Sequence, residues 1–328
     1  MSDAMTHPVI SIVVPCFNEE AVLAASAERL LSTLESLTEA GTVSERSFLL
    51  LVDDGSTDGT WQMCHKVAAA GSRVAAIRLA RNEGLQVALL AGMEEAVATA
   101  DAVITVDADL QDDISVIPEM VRLYGEGIQV VYGVRNDRSA DTPSKRRSAT
   151  SFYSLQHALG IKSLKNHADF RLMSREAVER LSQYGERNLF MRGLIPMLGL
   201  PSATVEYSRR PRLAGKSKFS SMRMMNLAID GITSFSIRPM RVLTILGLFF
   251  LVIALGMAIY VVVALLMKRT IAGWSSLMLS LWFIGGCITI GLGIIGEYIG
   301  RIYIEVKHRP RYFVNERLPL GNTENDGD

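Results

Sequence analysis

Two long runs without a charged residue constrain this chain most. Val242 to Met267 and Ile271 to Gly296 each hold 26 uncharged residues. A bilayer-spanning helix needs about 20, so both runs are expected to cross a membrane, over about 242–267 and 272–296. Arg238 and Arg241 precede the pair, Arg301, Lys307, Arg309 and Arg311 follow it, and the connecting loop holds only Lys268 and Arg269. The positive-inside rule then puts both ends in the cytoplasm. Two spans suit an anchor better than a transport channel.

The region before the spans alternates short apolar runs with helical periodicity. Val9 to Pro15, Phe48 to Val52, Val74 to Leu79, Val103 to Val106 and Ile128 to Tyr132 read as buried strands. Leu23, Ala27, Leu30, Leu34 and Leu37 recur at helical spacing, giving a helix over 20–40, and a second is expected over 84–98. Ser56 or Asp58 is placed to cap a helix starting near Thr60, and Ser174 one starting at Arg175. A further helix is expected from Glu186. This alternation predicts an α/β domain with a mostly parallel sheet. Its ligands bind in the crevice at the strands' C-terminal edge. Asn18-Glu19, Asp53-Asp54 and Asp107-x-Asp109 all fall at that edge.

Asp107-Ala108-Asp109 ends an apolar strand with two carboxylates two residues apart, leaning the same way. They repel unless a cation lies between them, and Mg²⁺ commonly takes one or two carboxylates plus substrate phosphates. A metal-diphosphate site and a capped turn both fit the stretch taken alone. Asp53-Asp54 can likewise hydrogen-bond a base and a ribose, or cap the next helix. Neither a Gly-x-Gly-x-x-Gly after the first strand nor a P-loop motif is present. Arg135, Arg138, Lys145, Arg146 and Arg147 form a basic patch that reads as a solvated face or a phosphate site. Asp169 and Arg171 are charges in apolar surroundings, either a structural ion pair or a reactive one. Ser220 to Phe235 is amphipathic and fits either a membrane interface or the sheet.

Basic and acidic residues balance at 34 each, which excludes an overall nucleic-acid footprint. Cys16, Cys64 and Cys287 form no CxxC and the five histidines no metal-ligand spacing, as suits a reducing compartment. No signal peptide pattern opens the chain, so the first domain is expected to stay cytoplasmic.

Six segments in order carry a resemblance. They are Val13 to Glu20 (Val-Val-Pro-Cys-Phe-Asn-Glu-Glu), Val52 to Thr60, Asp107 to Asp112, Asp169 to Arg175 (Asp-Phe-Arg-Leu-Met-Ser-Arg), Glu186 to Gly193 and Gly215 to Phe219, joined by Gly296 to Tyr303. Together they resemble the inverting family 2 glycosyltransferases with a GT-A fold. Within these they resemble the polyprenyl-phosphate group related to dolichol-phosphate mannose synthase, and most of all the bactoprenol (undecaprenyl-phosphate) glucosyltransferases. The likeness covers about residues 8 to 315. The Gln-x-x-Arg-Trp motif of processive synthases is absent, which points to transfer of one sugar.

The resemblance implies a GT-A domain over 1–219, an interfacial helix over 220–241, two transmembrane helices within 242–300 and a cytoplasmic tail over 301–328. It implies that Pro15, Glu19, Asp53 and Asp54 hold the nucleotide, and that Asp107, Asp109 and Gln111 meet Mg²⁺ or Mn²⁺ and the diphosphate. Asp109 is expected to be the direct metal ligand, with Asp107 shared between metal and ribose. Arg135, Arg146, Arg147, Arg212 and Lys218 match phosphate-contacting positions, and Asp169 the catalytic aspartate. The expected reaction is transfer of glucose from UDP-glucose to undecaprenyl phosphate, in a bacterial inner membrane, for cell-envelope glycan modification. GDP-mannose and UDP-N-acetylhexosamine are alternative donors. A non-catalytic nucleotide-sugar scaffold is the other reading; loss of a motif carboxylate or of the arginines would favour it, and all are present. A homo-oligomer such as a tetramer is implied, and glycines from Gly285 to Gly300 permit close helix packing within or between chains.

Overall fold

The computed structural model describes residues 7–135, 167–187, 190–208 and 273–321, with scattered positions between 245 and 267. Two compact units arise from the chain: residues 1–157, 162–223 and 310–328 form one, and 158–161 with 224–309 the other.

The first unit holds an eight-stranded sheet ordered β7-β5-β6-β4-β1-β2-β3-β8. β1 (Ile10–Cys16), β2 (Phe48–Asp53), β3 (Val74–Leu79) and β4 (Ala102–Thr105) are parallel neighbours, as their apolar runs predict. β5 (Val130–Arg135) pairs in parallel with β7 (Ser202–Tyr207). β5 starts and ends later than the apolar run 128–132 implies, because the strand continues through Gly133 to Arg135.

Helices cover both faces. Ile12 and Val14 share a core with Leu23, Leu30 and Leu34 of α1 (Glu20–Glu39) and with Trp61 and Cys64 of α2 (Thr60–Ala70). The alternate residues Val13 and Val52 face Gly92 of α3 (Leu85–Ala96), where an added Cβ would clash with both valines. α4 (Ile117–Gly125) precedes β5, and α5 (Arg175–Ser182) is capped by Ser174, whose Oγ accepts from Ala177 N at 3.0 Å. Asp58 Oδ1 accepts from Thr60 N at 3.0 Å at the start of α2.

Three expectations are corrected. β6 (His167–Ser174) enters the sheet between β4 and β5, antiparallel to both, where the sequence suggested only a charged pair ahead of a helix. The helix expected from Glu186 starts later, as α6 (Met191–Leu194), which runs straight into a 3₁₀ turn over Ile195–Leu198. The tail over 301–328 is not a bare tail: Val314–Leu318 forms β8, antiparallel to β3 at the sheet edge.

In the second unit α7 (Trp274–Val306) runs 33 residues, past the Gly296 boundary expected for the second span. Among the described residues one segment, Phe283–Val306, is long and apolar enough to cross a membrane. The described positions from Ile245 to Leu266, within the first uncharged run, are helical, and Phe250 stacks edge-on against Phe283 at 5.5 Å. The Ser220 to Phe235 helix and residues Arg146, Arg147, Arg212 and Lys218 lie outside the described residues.

Candidate active site

The parallel strands β1, β2 and β4 deliver three loops to one edge. The first two interlock. Asn18 adopts φ 55°, a left-handed conformation that asparagine tolerates better than most residues. Its Oδ1 accepts from Thr57 N at 2.9 Å, while its own N–H donates to Ser56 Oγ at 3.0 Å. Glu19 N donates to Thr60 Oγ1 at 2.9 Å. Pro15 is buried in β1.

Asp53 ends β2 fully buried. Its Oδ1 accepts from Ser56 N at 3.1 Å, and its Oδ2 lies 3.2 Å from Arg78 Nε. That ion pair is off the hydrogen-bond line, so among the described residues Oδ2 has no hydrogen-bond donor. Asp54 is turned to the backbone instead: its oxygens accept from Glu83 N at 2.8 Å and Gly84 N at 2.9 Å, fixing the loop before α3. Burial lifts its carboxyl to about 6, against those two hydrogen bonds.

The third loop carries Asp107 and Asp109. Leu110 turns it with φ 44°, a strained conformation for a bulky residue, while burying its own side chain. Asp109 Oδ1 accepts from Gln111 N at 3.2 Å, and the Gln111 side chain is buried. Burial, and then the Asp169, Asp112 and Asp109 carboxylates, push Asp107 up to about 7.

The β4–β6 register explains the involvement of Asp169. The pairing ends with Thr105 opposite Arg171, and Asp169, two residues before Arg171 on β6, comes near enough to Asp107 for its charge to act on it. Thr105 Oγ1 donates to the Asp169 carbonyl at 2.5 Å and locks this crossing. Asp169 and Arg171 share one face of β6, and Phe170 packs on the other against Tyr207. The Asp169 carboxylate sits between two guanidiniums. Arg171 Nη2 donates to Oδ1 at 2.5 Å; Arg192 Nη2 reaches Oδ2 at 3.1 Å and its Nε reaches Oδ1 at 3.4 Å. Burial alone would raise this carboxyl, but Arg192 and Arg171 outweigh it and hold it at about 2.

Arg135, expected to contact phosphate, is held by protein partners at this edge. Its Nη2 and Nε donate to Asp112 Oδ1 at 2.9 and 3.2 Å, and Nε also lies 3.2 Å from the Tyr207 hydroxyl. Asp112 is 2% exposed and its other oxygen has no hydrogen-bond partner among the described residues.

Pro15, Glu19, Asp53, Asp54, Asp107, Asp109, Gln111 and Asp169 thus gather at one sheet edge. Arg192, Arg78 and Asp112 join them and were not singled out as site residues by the sequence. Arg192 had a signal, since it lies in the quoted 186–193 segment. Among the described residues no three His, Cys, Asp or Glu side chains form a metal cluster. A cation shared with a diphosphate needs only one or two carboxylates. The crowding that pushes Asp107 upward is what such a cation would relieve, so Asp107 and Asp109 fit it.

A sequence profile described as glycosyl transferase family 2 matches residues 11–182. A Bacillus subtilis (strain 168) protein named uncharacterized glycosyltransferase YkoT is 47% identical over 98% of this chain and 97% of its own. The bactoprenol glucosyl transferase of Shigella phage SfV is 40% identical over 94% of this chain and 99% of its own. The prophage bactoprenol glucosyl transferase homolog of Escherichia coli (strain K12) is 38% identical over 93% and 98%. A profile match across half the chain, joined to near full-length relatives, places a shared ancestry behind the carboxylate-lined sheet edge: the chain belongs to glycosyl transferase family 2 and is a glycosyltransferase.

Proposed function

We propose that the protein transfers a single glucose from UDP-glucose to a polyprenyl phosphate, undecaprenyl phosphate in a bacterial inner membrane, with inversion at the anomeric carbon. The names of the relatives support the acceptor and the sugar. The observation that carries the reading is Asp169, set near Asp107 at the sheet edge and clasped by Arg171 and Arg192. Two guanidiniums thus stand at the same sheet edge as the motif carboxylates. That pairing suits an anionic acceptor meeting a metal-bound diphosphate.

An acceptor oxygen bonds to the anomeric carbon as the bond from that carbon to the diphosphate oxygen breaks, and UDP leaves with the electron pair. An α-linked donor yields a β-linked product. A phosphate monoester has its second pKa near 6 and is mostly dianionic at neutral pH, so the attacking oxygen has no proton to lose. Asp169 therefore acts by holding Arg171 and Arg192 in place. Asp53, with a buried unsatisfied oxygen, would receive the nucleotide, and Asp107 and Asp109 would hold Mg²⁺ or Mn²⁺. Such an ion neutralises charge on a leaving diphosphate. Arg135, Arg146, Arg147, Arg212 and Lys218 would add contacts to the acceptor phosphate.

Two spans, over about 242–267 and 272–296, would keep this domain at the cytoplasmic face where a polyprenyl chain is rooted. The test offers purified protein a panel of radiolabelled nucleotide sugars with undecaprenyl phosphate vesicles and Mg²⁺ or Mn²⁺. Labelled lipid from UDP-glucose is expected. No labelled lipid from any sugar overturns the enzymatic reading, and label from GDP-mannose or a UDP-N-acetylhexosamine alone overturns the glucose assignment.

A further inference from the structure

β8 follows α7 in the chain after only residues 307–313, and it lies on the sheet of the first unit. Residues 310–313 of that segment, in the first unit, are each tied to that unit. Pro310 O accepts from Arg187 Nη1 at 2.9 Å, Arg311 Nε donates to Glu186 O at 3.1 Å, and the Tyr312 hydroxyl donates to Glu94 at 2.5 Å. Phe313 O accepts from Ala80 N at 2.9 Å.

Glu316, in the middle of β8, reaches inward along the sheet. Its Oε1 accepts from Arg78 Nη1 at 3.2 Å and its Oε2 from Trp61 Nε1 at 3.1 Å. Arg78 also lies over the Trp61 ring, 5.8 Å from its centroid. The other side of the same guanidinium faces Asp53 Oδ2 at 3.2 Å. Asp53 is fully buried, and Arg78 is its ion-pair partner. A buried carboxylate that loses its counter-charge must neutralise or move.

We propose that Glu316 is a positioning residue for donor binding: by holding Arg78 against Trp61 it orients Asp53 for the nucleotide, so donor affinity depends on the strand that follows the membrane helix. This rests on the reading of Asp53 as a nucleotide contact. A strand that merely covers the sheet edge would affect stability through all its anchors alike. β8 provides a comparison within itself, because Arg317 pairs with Glu95 at 3.1 Å on α3, away from Arg78.

The experiment measures UDP binding by calorimetry with Mn²⁺ present, and donor KM and kcat on acceptor vesicles, for full-length wild type, Asp53→Asn, Glu316→Ala, Glu316→Gln and Arg317→Ala. Glu316→Ala is expected to weaken UDP binding and raise donor KM about three- to fivefold, the scale of a partly exposed charge contact, with kcat nearly unchanged. Glu316→Gln, which keeps an acceptor for Trp61 and the strand's shape, is expected to shift KM in the same direction by less. Arg317→Ala is expected to move neither. Asp53→Asn is expected to lose UDP binding; if it binds like wild type, the nucleotide reading of Asp53 fails. If Asp53→Asn loses binding but Glu316→Ala does not, or Arg317→Ala weakens it equally, the positioning role is overturned and β8 is an edge cover only.

Discussion

Replacing Asp169 by asparagine separates a proton-transfer role from an electrostatic one. The carboxyl is 8% exposed, and Arg171 and Arg192 hold it at about 2 despite the opposing effect of burial. At pH 7 a group of that strength is protonated in about one molecule in 10⁵, and it is a weak proton acceptor. Asparagine keeps the shape and removes the charge, taking the shared carboxylate away from the buried Arg171 and the partly exposed Arg192. Breaking a buried pair costs about 3–5 kcal/mol. If about 3 kcal/mol of that appears in the barrier, transfer slows about 100-fold. The assay is transfer of labelled sugar to polyprenyl phosphate in vesicles between pH 6 and 9. The expected profile is low throughout and no steeper than wild type. Activity that climbs back with pH would refute the electrostatic role and restore the base. The same substitution has a stability signature. The folded pKa lies below the unfolded value of about 3.9, so the ionised group stabilises the fold above about pH 4, by roughly 2–3 kcal/mol. That contribution is lost as pH falls from 4 towards 2. Asp169→Asn should flatten thermal stability across that window.

Asp109→Asn should reduce transfer at least about tenfold at limiting Mn²⁺ and raise the metal concentration for half-maximal activity; an unchanged metal titration would remove Asp109 from the metal site. Deleting residues 242–300 while keeping 301–328 should leave UDP binding within about twofold and sharply lower transfer to vesicle-embedded acceptor; equal transfer would reject the anchoring role. Gly92→Val should lower the midpoint of thermal unfolding, because even a Cβ there would stand 2.6 Å from Val52 and closer still to Val13. Overpacking of this kind costs about 1–3 kcal/mol, and a wild-type melting temperature would show that α3 can move off the sheet.

The parallel half of the sheet was legible because its strands are continuous apolar runs and α1 shows clean helical spacing. β6 was hidden because Asp169 and Arg171 break the apolar pattern. They are tolerated inside because each neutralises the other, a fact of pairing that spacing cannot express. β8 was hidden for a related reason. Val-Asn-Glu-Arg-Leu is polar as an edge strand must be, and its partner β3 lies more than two hundred residues earlier. Asp53, Asp54, Asp107 and Asp109 were readable because they end or directly follow parallel strands at the same edge. Their counter-ions were not. Arg135 looked like part of a basic run, but its fork is engaged with Asp112, whereas Arg192 is brought to Asp169 only by the fold.

The antiparallel entry of β6 has a consequence for how this site can vary. β4 and β6 lie one interstrand gap apart, about 4.8 Å, and their register, with Thr105 opposite Arg171, brings Asp169 to the edge where Asp107 lies. A slip of a single residue between 167 and 174 would turn Asp169 to the opposite face, into the place of Phe170 against Tyr207. Variation among related chains should therefore be rigid in length within β6.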